Sequence, residues 1–186
     1  MIKEIVDQRK IQSRGGIFSK YPSSVIISRI LRAFNIEKVI DVTYGRGRFY
    51  FIYRPRLLIG VDARKWDWIV KPDMFFEIPV QYFHEKVIRK EISFDVDCIV
   101  VDPPKWNLNN YNKRDEYNFI IGTPSIIINY ARKIADELKA KYLLVHYNKI
   151  LDGKITYLIE YKFFSRYLNI KNNNNTSYFI LYEINY

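Results

Sequence analysis

Two apolar runs end on an acidic or polar residue, and the residues after each one limit the folds open to this chain. Cys98-Ile99-Val100-Val101 runs into Asp102-Pro103-Pro104. Neither proline carries a backbone N–H, so a strand here must stop and leave Asp102 at its carboxyl end. Val39-Ile40-Asp41-Val42-Thr43 runs in the same way into Tyr44-Gly45-Arg46-Gly47-Arg48. Ligands of open α/β sheets sit outside the carboxyl ends of the strands. Two such ends in a chain of 186 residues suggest a cofactor and a substrate meeting at one crevice.

The remaining pattern supplies helices between strands. Residues 1–22 are polar and basic, with Gly15-Gly16 and a stop at Pro22, and read as a leader; residues 23–186 read as a single domain. Ser23 or Ser24 can cap a helix on which Ile26, Ile27, Ile30, Leu31 and Phe34 recur at helical spacing. Phe49–Tyr53 is a short helical candidate, Leu57–Asp62 a strand, residues 73–92 a weakly patterned helical stretch, and Phe94–Asp102 a strand. After a polar loop over 107–118, Thr123-Pro124 starts a helix through Ile127, Ile128, Ala131, Ile134, Ala135 and Leu138. Lys141–Tyr147 is a further strand, and the tail reads as an antiparallel hairpin with Asn172–Asn175 in its loop. The sum is an α/β layered sheet, mostly parallel and mixed at one edge.

Composition narrows the partners. The formal charge is +10, from 30 Lys and Arg against 20 Asp and Glu, which favours nucleic acid over an acidic membrane; a solvated basic surface is the plain alternative. Residues 1–35 hold seven Lys and Arg and two acids, so half of the excess lies ahead of the first expected strand. The one cysteine, Cys98, lies within an apolar strand and reads as a buried thiol. His84 and His146 are far apart in sequence with no cysteine pair, so no metal site is expected. With neither a membrane span nor a signal-peptide core, the expectation is a soluble, cytoplasmic protein.

Gly45 and Gly47 after a strand allow a tight turn and close approach to a ligand. Asp62, at the next strand end, can accept from two ribose hydroxyls; its alternative is a turn or cap acid. Asp73 is a candidate for an adenine amino group, with the same alternative. A dinucleotide fingerprint is missing, because Tyr50 stands where the third glycine would be. No Walker-type Gly-Lys-Ser/Thr follows the turn either.

Asp41-Val42-Thr43-Tyr44-Gly45-Arg46-Gly47, Val61-Asp62 and Asp102-Pro103-Pro104-Lys105, in this order, resemble the motifs of class I S-adenosylmethionine-dependent methyltransferases. The likeness is nearest to the nucleic-acid branch with its Asp/Asn-Pro-Pro-aromatic motif, and covers about residues 22–147. It implies a Rossmann-like sheet, mostly parallel, with a reversed final strand pair. It also implies S-adenosyl-L-methionine as cofactor, with the glycine turn and Thr43 against its methionine part and Asp41 near its amino group. Asp62 would hold the ribose and Asp73 would contact adenine.

Such a site has a mechanistic reading. Hydrogen bonds from an exocyclic amino group to the Asp102 carboxylate and the Pro103 carbonyl would aim its lone pair and stabilise the charge that develops on nitrogen. Amino-methylating members usually place an aromatic directly after the prolines to stack on the base. Here Lys105 holds that place and Trp106 follows, so Trp106 is expected to stack and Lys105 to contact phosphate. Carbon-5 chemistry would need a cysteine nucleophile, and Cys98 is inside the strand. Arg14, Phe18, Lys20 and Tyr21 of the leader are candidates to track a phosphate backbone and close over cofactor or base. The leading expectation is methyl transfer to a base nitrogen, with RNA ahead of DNA. The alternatives are an inactive nucleic-acid-binding module and a methyltransferase acting on a protein or small amine.

Overall fold

A strand buried on both faces needs apolar residues at every position, and Leu57–Asp62 meets that demand, with Leu58, Ile59, Gly60 and Val61 all buried. In the computed structural model, which describes residues 1–103, 123–163 and 175–184, it is one of eight strands of a single sheet. The strands are β1 (Ile2–Asp7), β2 (Lys38–Asp41), β3 (Leu57–Asp62), β4 (Met74–Glu77), β5 (Cys98–Val101), β6 (Tyr142–Tyr147), β7 (Ile155–Phe163) and β8 (Asn175–Glu183). Their order across the sheet is β1-β7-β8-β6-β5-β2-β3-β4. Every pairing is parallel except those of β8, which runs antiparallel to both β6 and β7. From β2 the chain lays β3 and β4 to one side; β5 and β6 then build the other side. The switch falls between neighbours β2 and β5.

Side chains alternate between the two faces of the sheet. Ile40, Val42, Ile59, Val61, Ile99, Val101, Leu143 and Val145 form one core with the helices α4 (Val80–Ile88) and α5 (Pro124–Glu137). Val39, Leu58, Val100, Leu144, Phe179 and Leu181 form the other. That second core packs on α3 (Pro22–Ala33) and on Ile11 of the short α1 (Gln8–Gln12). It also includes Phe49 and Tyr50 of the 3-10 turn Arg48–Tyr50. No helix among the described residues is long and apolar enough to cross a membrane.

Several elements depart from expectation. Residues 2–7, within the basic N-terminal stretch, form an edge strand in parallel register with β7, secured where Glu4 accepts from the Tyr157 hydroxyl and pairs with Arg29 on α3. Residues 73–92 hold β4 as well as α4. The strand expected from Phe94 starts only at Cys98, because the Asp97 carboxylate turns back to accept from the N–H groups of Glu37 and Lys38. Phe49–Tyr53 contracts to the 3-10 turn. Helix α3 opens on Pro22, and Ser24 donates its hydroxyl to the Tyr21 carbonyl instead of capping. The tail strands do pair antiparallel, but the loop asparagines from Asn172 up to β8 lie outside the described residues.

One contact explains the glycine inside β3. A Cβ on Gly60 would lie 2.7 Å from the Tyr44 ring and 3.1 Å from the Phe75 ring. Gly60→Ala should therefore lower stability by about 1–3 kcal/mol in urea unfolding, as overpacking does. The loss should shrink on a Tyr44→Ala background. Equal losses on both backgrounds would show that the ring is not the obstacle.

Candidate functional site

Because β2, β3, β5 and β6 are parallel and in register, side chains of one parity emerge together at the carboxyl edge. Asp41, Thr43, Asp62, Asp102 and His146 all stand on the face shared with α3 and the 3-10 turn. The chain after β2 then folds over them. Gly45 and Gly47 take left-handed φ angles of 53° and 71°, which glycine adopts without strain. A Cβ on Gly47 would lie 2.5 Å from the Val70 carbonyl oxygen, so that glycine serves packing. Among the described residues, a Cβ on Gly45 would meet only the Thr43 carbonyl, at 3.9 Å. The outer side of the turn at Gly45 is thus open.

Asp41 is 2 % exposed. One carboxylate oxygen accepts from the Thr43 N–H at 2.9 Å and the Thr43 hydroxyl at 3.2 Å, and the other accepts from the Tyr50 hydroxyl at 2.9 Å. Burial pushes its pKa up to about 7; the Thr43 and Tyr50 hydrogen bonds pull it down, and the charge of Asp102 adds to the rise. The acid expected near the cofactor's amino group is therefore turned inward, onto its own loop. Thr43 carries the link onward: its hydroxyl oxygen accepts from the Asp102 N–H at 2.6 Å.

Asp62 is also largely buried, with one oxygen accepting from the Gly45 N–H at 2.9 Å and the other from the Arg64 N–H at 3.3 Å. The loop after β3 is stitched to the glycine turn through Ile69 N–H to Arg46 O at 2.8 Å, Arg46 Nε to Asp67 O at 2.9 Å and the Tyr44 hydroxyl to Val70 O at 2.7 Å. It carries the Arg64 guanidinium 3.6 Å from the centre of the Trp66 ring and the Lys65 ammonium 5.1 Å from that of Trp68.

Asp102 is the exposed member of the group, with about a third of its side chain open at 34 %. His146 Nδ1 lies 2.9 Å from its Oδ1, and His146 Nε2 lies 2.8 Å from the hydroxyl of Ser177 on β8. The imidazole stacks on Phe179 with centroids 4.0 Å apart and planes at 7°, while Phe49 meets it edge-on at 5.9 Å. Pro103 is buried beside Asp102. Sequence reasoning does not single out His146, Ser177, Phe49 or the Tyr50 hydroxyl. A signal for His146 is present all the same: it is the polar interruption at the carboxyl end of the apolar run Leu143-Leu144-Val145.

The edge thus gathers Asp41, Thr43, Gly45, Gly47, Asp62, Asp102 and Pro103. Of the leader candidates, Tyr21 packs edge-on against Phe51 at 4.9 Å, with the Lys20 ammonium 5.7 Å and the Arg48 guanidinium 5.8 Å from its ring centre. Phe18, on the short helix Gly16–Lys20 (α2), is partly exposed, and Arg14 is exposed in the turn before it. Asp73 is not part of the gathering. It precedes β4, pairs with Arg54 and accepts from the Leu58 N–H at 2.8 Å, at the amino end of β3. Four residues of β3, about 13 Å, separate the level of Asp73 from Asp62. Lys105 and Trp106 lie outside the described residues. Cys98 is fully buried, and burial pushes its thiol far up from its ordinary pKa.

No protein-family model matches the chain, and no curated protein matches it at a significant level. Among solved structures, Thermoplasma acidophilum 1320 is similar over 96 % of this chain and 95 % of its own, with a TM-score of 0.56 and 14 % identity. That likeness shows a shared fold. A Lactococcus lactis protein described as a candidate hemolysin aligns over 85 % of each chain with a TM-score of 0.39 and 13 % identity. EvdMO1 aligns over 94 % of this chain and 45 % of its own, with a TM-score of 0.35 and 9 % identity.

The burial of Asp41 has a measurable consequence. Its folded pKa lies above the ordinary 3.8, so between pH 4 and about 7 the folded chain holds a proton that the unfolded chain has released. Its contribution to stability is thus fullest below pH 4, falls as pH rises to about 7, and then levels off. At its steepest the fall is about 1.4 kcal/mol per pH unit. Asp41→Asn, compared with the parent by urea unfolding across that range, should remove this part of the slope. Parallel pH profiles would contradict the assignment.

Proposed function

We propose that the chain is a class I S-adenosylmethionine-dependent methyltransferase that modifies a nitrogen of a nucleic-acid base, RNA ahead of DNA. The observation that carries this reading is Asp102. It stands at the switch between β2 and β5, where ligands of open α/β sheets bind. Its backbone is tied to the glycine-turn strand by Thr43 and its Oδ1 to His146. Among the described residues no donor reaches Oδ2, and Pro103, whose carbonyl is a second acceptor, follows directly in the chain. The antiparallel pair formed by β8 with β6 and β7 agrees with the reversed strand pair that the family resemblance implies.

The residues fit the cofactor in that, among the described residues, the outer side of Gly45 is open, and Asp62 stands at the neighbouring strand end against the same turn. When bound there, S-adenosylmethionine supplies an electrophilic methyl group. The chain's own part is to position the amino group. An N–H donated to Asp102 Oδ2 and another to the Pro103 carbonyl would turn the nitrogen lone pair toward the methyl and stabilise the positive charge that grows on nitrogen. Asp41, with its oxygens occupied by Thr43 and Tyr50, supports the loop in this reading. Asp73 has no part in it. Trp106 keeps the stacking role and Lys105 the phosphate role on sequence grounds alone. Lys20, Tyr21, Arg48 and Phe51 form the cationic and aromatic flank suited to a nucleic-acid strand. A cytoplasmic location fits such a substrate.

The test is transfer of a labelled methyl group from S-adenosylmethionine to total RNA and to DNA. The intact chain should label RNA more than DNA, and Asp102→Ala should lower transfer by about 10²–10³-fold with little change in S-adenosylhomocysteine affinity. Retention on RNA should weaken steeply as salt rises. Transfer by Asp102→Ala at the parental rate would remove the mechanism. Strong RNA retention with no labelling of RNA or DNA would favour a binding module instead.

A further inference from the structure

The unassigned group that touches the site most closely is the chain of side chains from Asp102 through His146 to Ser177. Resting on the methyl-transfer reading, we propose that His146 is the positioning residue for Asp102, locking its carboxylate so that Oδ2 is the oxygen presented to the substrate amino group. A carboxylate can only accept, so the ring nitrogen facing it must carry a hydrogen. That places a hydrogen on Nδ1, and in the Nδ1–H tautomer Nε2 accepts from the Ser177 hydroxyl. Phe179 stacks on the ring and Phe49 closes its edge, so the imidazole cannot turn over without unpacking the sheet face. The geometry is ordered opposite to a hydrolytic triad. Here Asp102 is the solvent end, and Ser177, 0 % exposed, is the sealed end.

The sealed end also settles the course of the proton. As the nitrogen–carbon bond forms, the carbon–sulfur bond of the sulfonium donor breaks and its electron pair stays on sulfur. The excess proton on the substrate nitrogen passes to Asp102 Oδ2 and leaves to water from that exposed side chain. The hydrogen on His146 Nδ1 stays in place throughout, because the far nitrogen of the ring meets the buried Ser177 hydroxyl and not solvent. His146 anchors the acceptor without relaying the proton.

Two variants and one spectroscopic readout test this. His146→Phe keeps a ring against Phe179 and removes both nitrogens, whereas Ser177→Ala keeps the imidazole and removes its lock. Each should lower kcat, His146→Phe by about 10- to 100-fold, with KM and S-adenosylhomocysteine affinity held. On an Asp102→Asn background, His146→Phe should cost nothing further, because the residue acts through Asp102. Independently of activity, nitrogen NMR of the chain's two histidines should show His146 as the Nδ1–H tautomer, with the Nε2–H form appearing in Asp102→Ala. An Nε2–H tautomer in the parent protein, or parental kcat in both His146→Phe and Ser177→Ala, would overturn the proposal. An Nδ1–H tautomer in a protein that methylates nothing would instead overturn the methyl-transfer reading and leave the anchoring of Asp102 standing.

Discussion

A single hydroxyl joins the two strand ends at which the sheet changes direction. Thr43 gives its hydrogen to Asp41 at the end of β2 and takes one from the Asp102 backbone at the end of β5. That bridge extends the β2–β5 pairing, whose last backbone bond runs from the Val42 N–H to the Val100 carbonyl at 3.0 Å, into the two loops that leave the switch point. The bridge depends in turn on Asp41, whose burial is unfavourable for a charge and is offset by donors from Thr43 and Tyr50. Tyr50 arrives there only because Gly45 and Gly47 permit the turn that brings the 3-10 helix back over the sheet. The inward-facing acid, the threonine and the glycines thus act as one unit, with Asp62 buried against the glycine turn and the more open Asp102 tied to it through Thr43.

This division of labour separates two kinds of aspartate that look alike in sequence. Asp41, Asp62 and Asp102 all follow apolar strand residues, and all three reach the carboxyl edge. Burial and hydrogen-bond partners then give them different work. Asp41 has its oxygens committed to the loop, Asp62 accepts from the Gly45 and Arg64 N–H groups, and Asp102 keeps part of its side chain open. Charge follows the same edge: Arg46, Arg48, Arg64 and Lys65 lie on the two loops around these carboxylates, and the chain rising from β1 brings Lys20 and Tyr21 to the same side.

The strands that carry these groups were legible because apolar runs that stop at a glycine turn or a proline pair define both the strand and its carboxyl end. The amphipathic spacing of Ile26–Leu31 and of Ile127–Ala135 was equally plain. What escaped were features that depend on a distant partner. Ile2–Asp7 is an edge strand with no clean alternation, and its register comes from β7, with Glu4 meeting Tyr157 across 153 positions of chain. Met74–Glu77 is four residues on the other edge, too short and too exposed to read as a strand. With β4 in place, Asp73 lies just before that strand, at the amino end of β3 and away from Asp62. His146 escaped for a related reason, since its partners Asp102 and Ser177 come from strands on either side of its own.

The central claim is that the carboxyl edge at the switch point holds the cofactor, and a binding titration tests it most directly. Calorimetry with S-adenosylhomocysteine should be run on the intact chain, on Asp62→Ala and on Asp73→Ala, each first shown to be folded. The account predicts saturable binding near one equivalent for the intact chain and for Asp73→Ala, and its loss in Asp62→Ala. No binding by the intact chain, or binding that survives in Asp62→Ala and fails in Asp73→Ala, would contradict it.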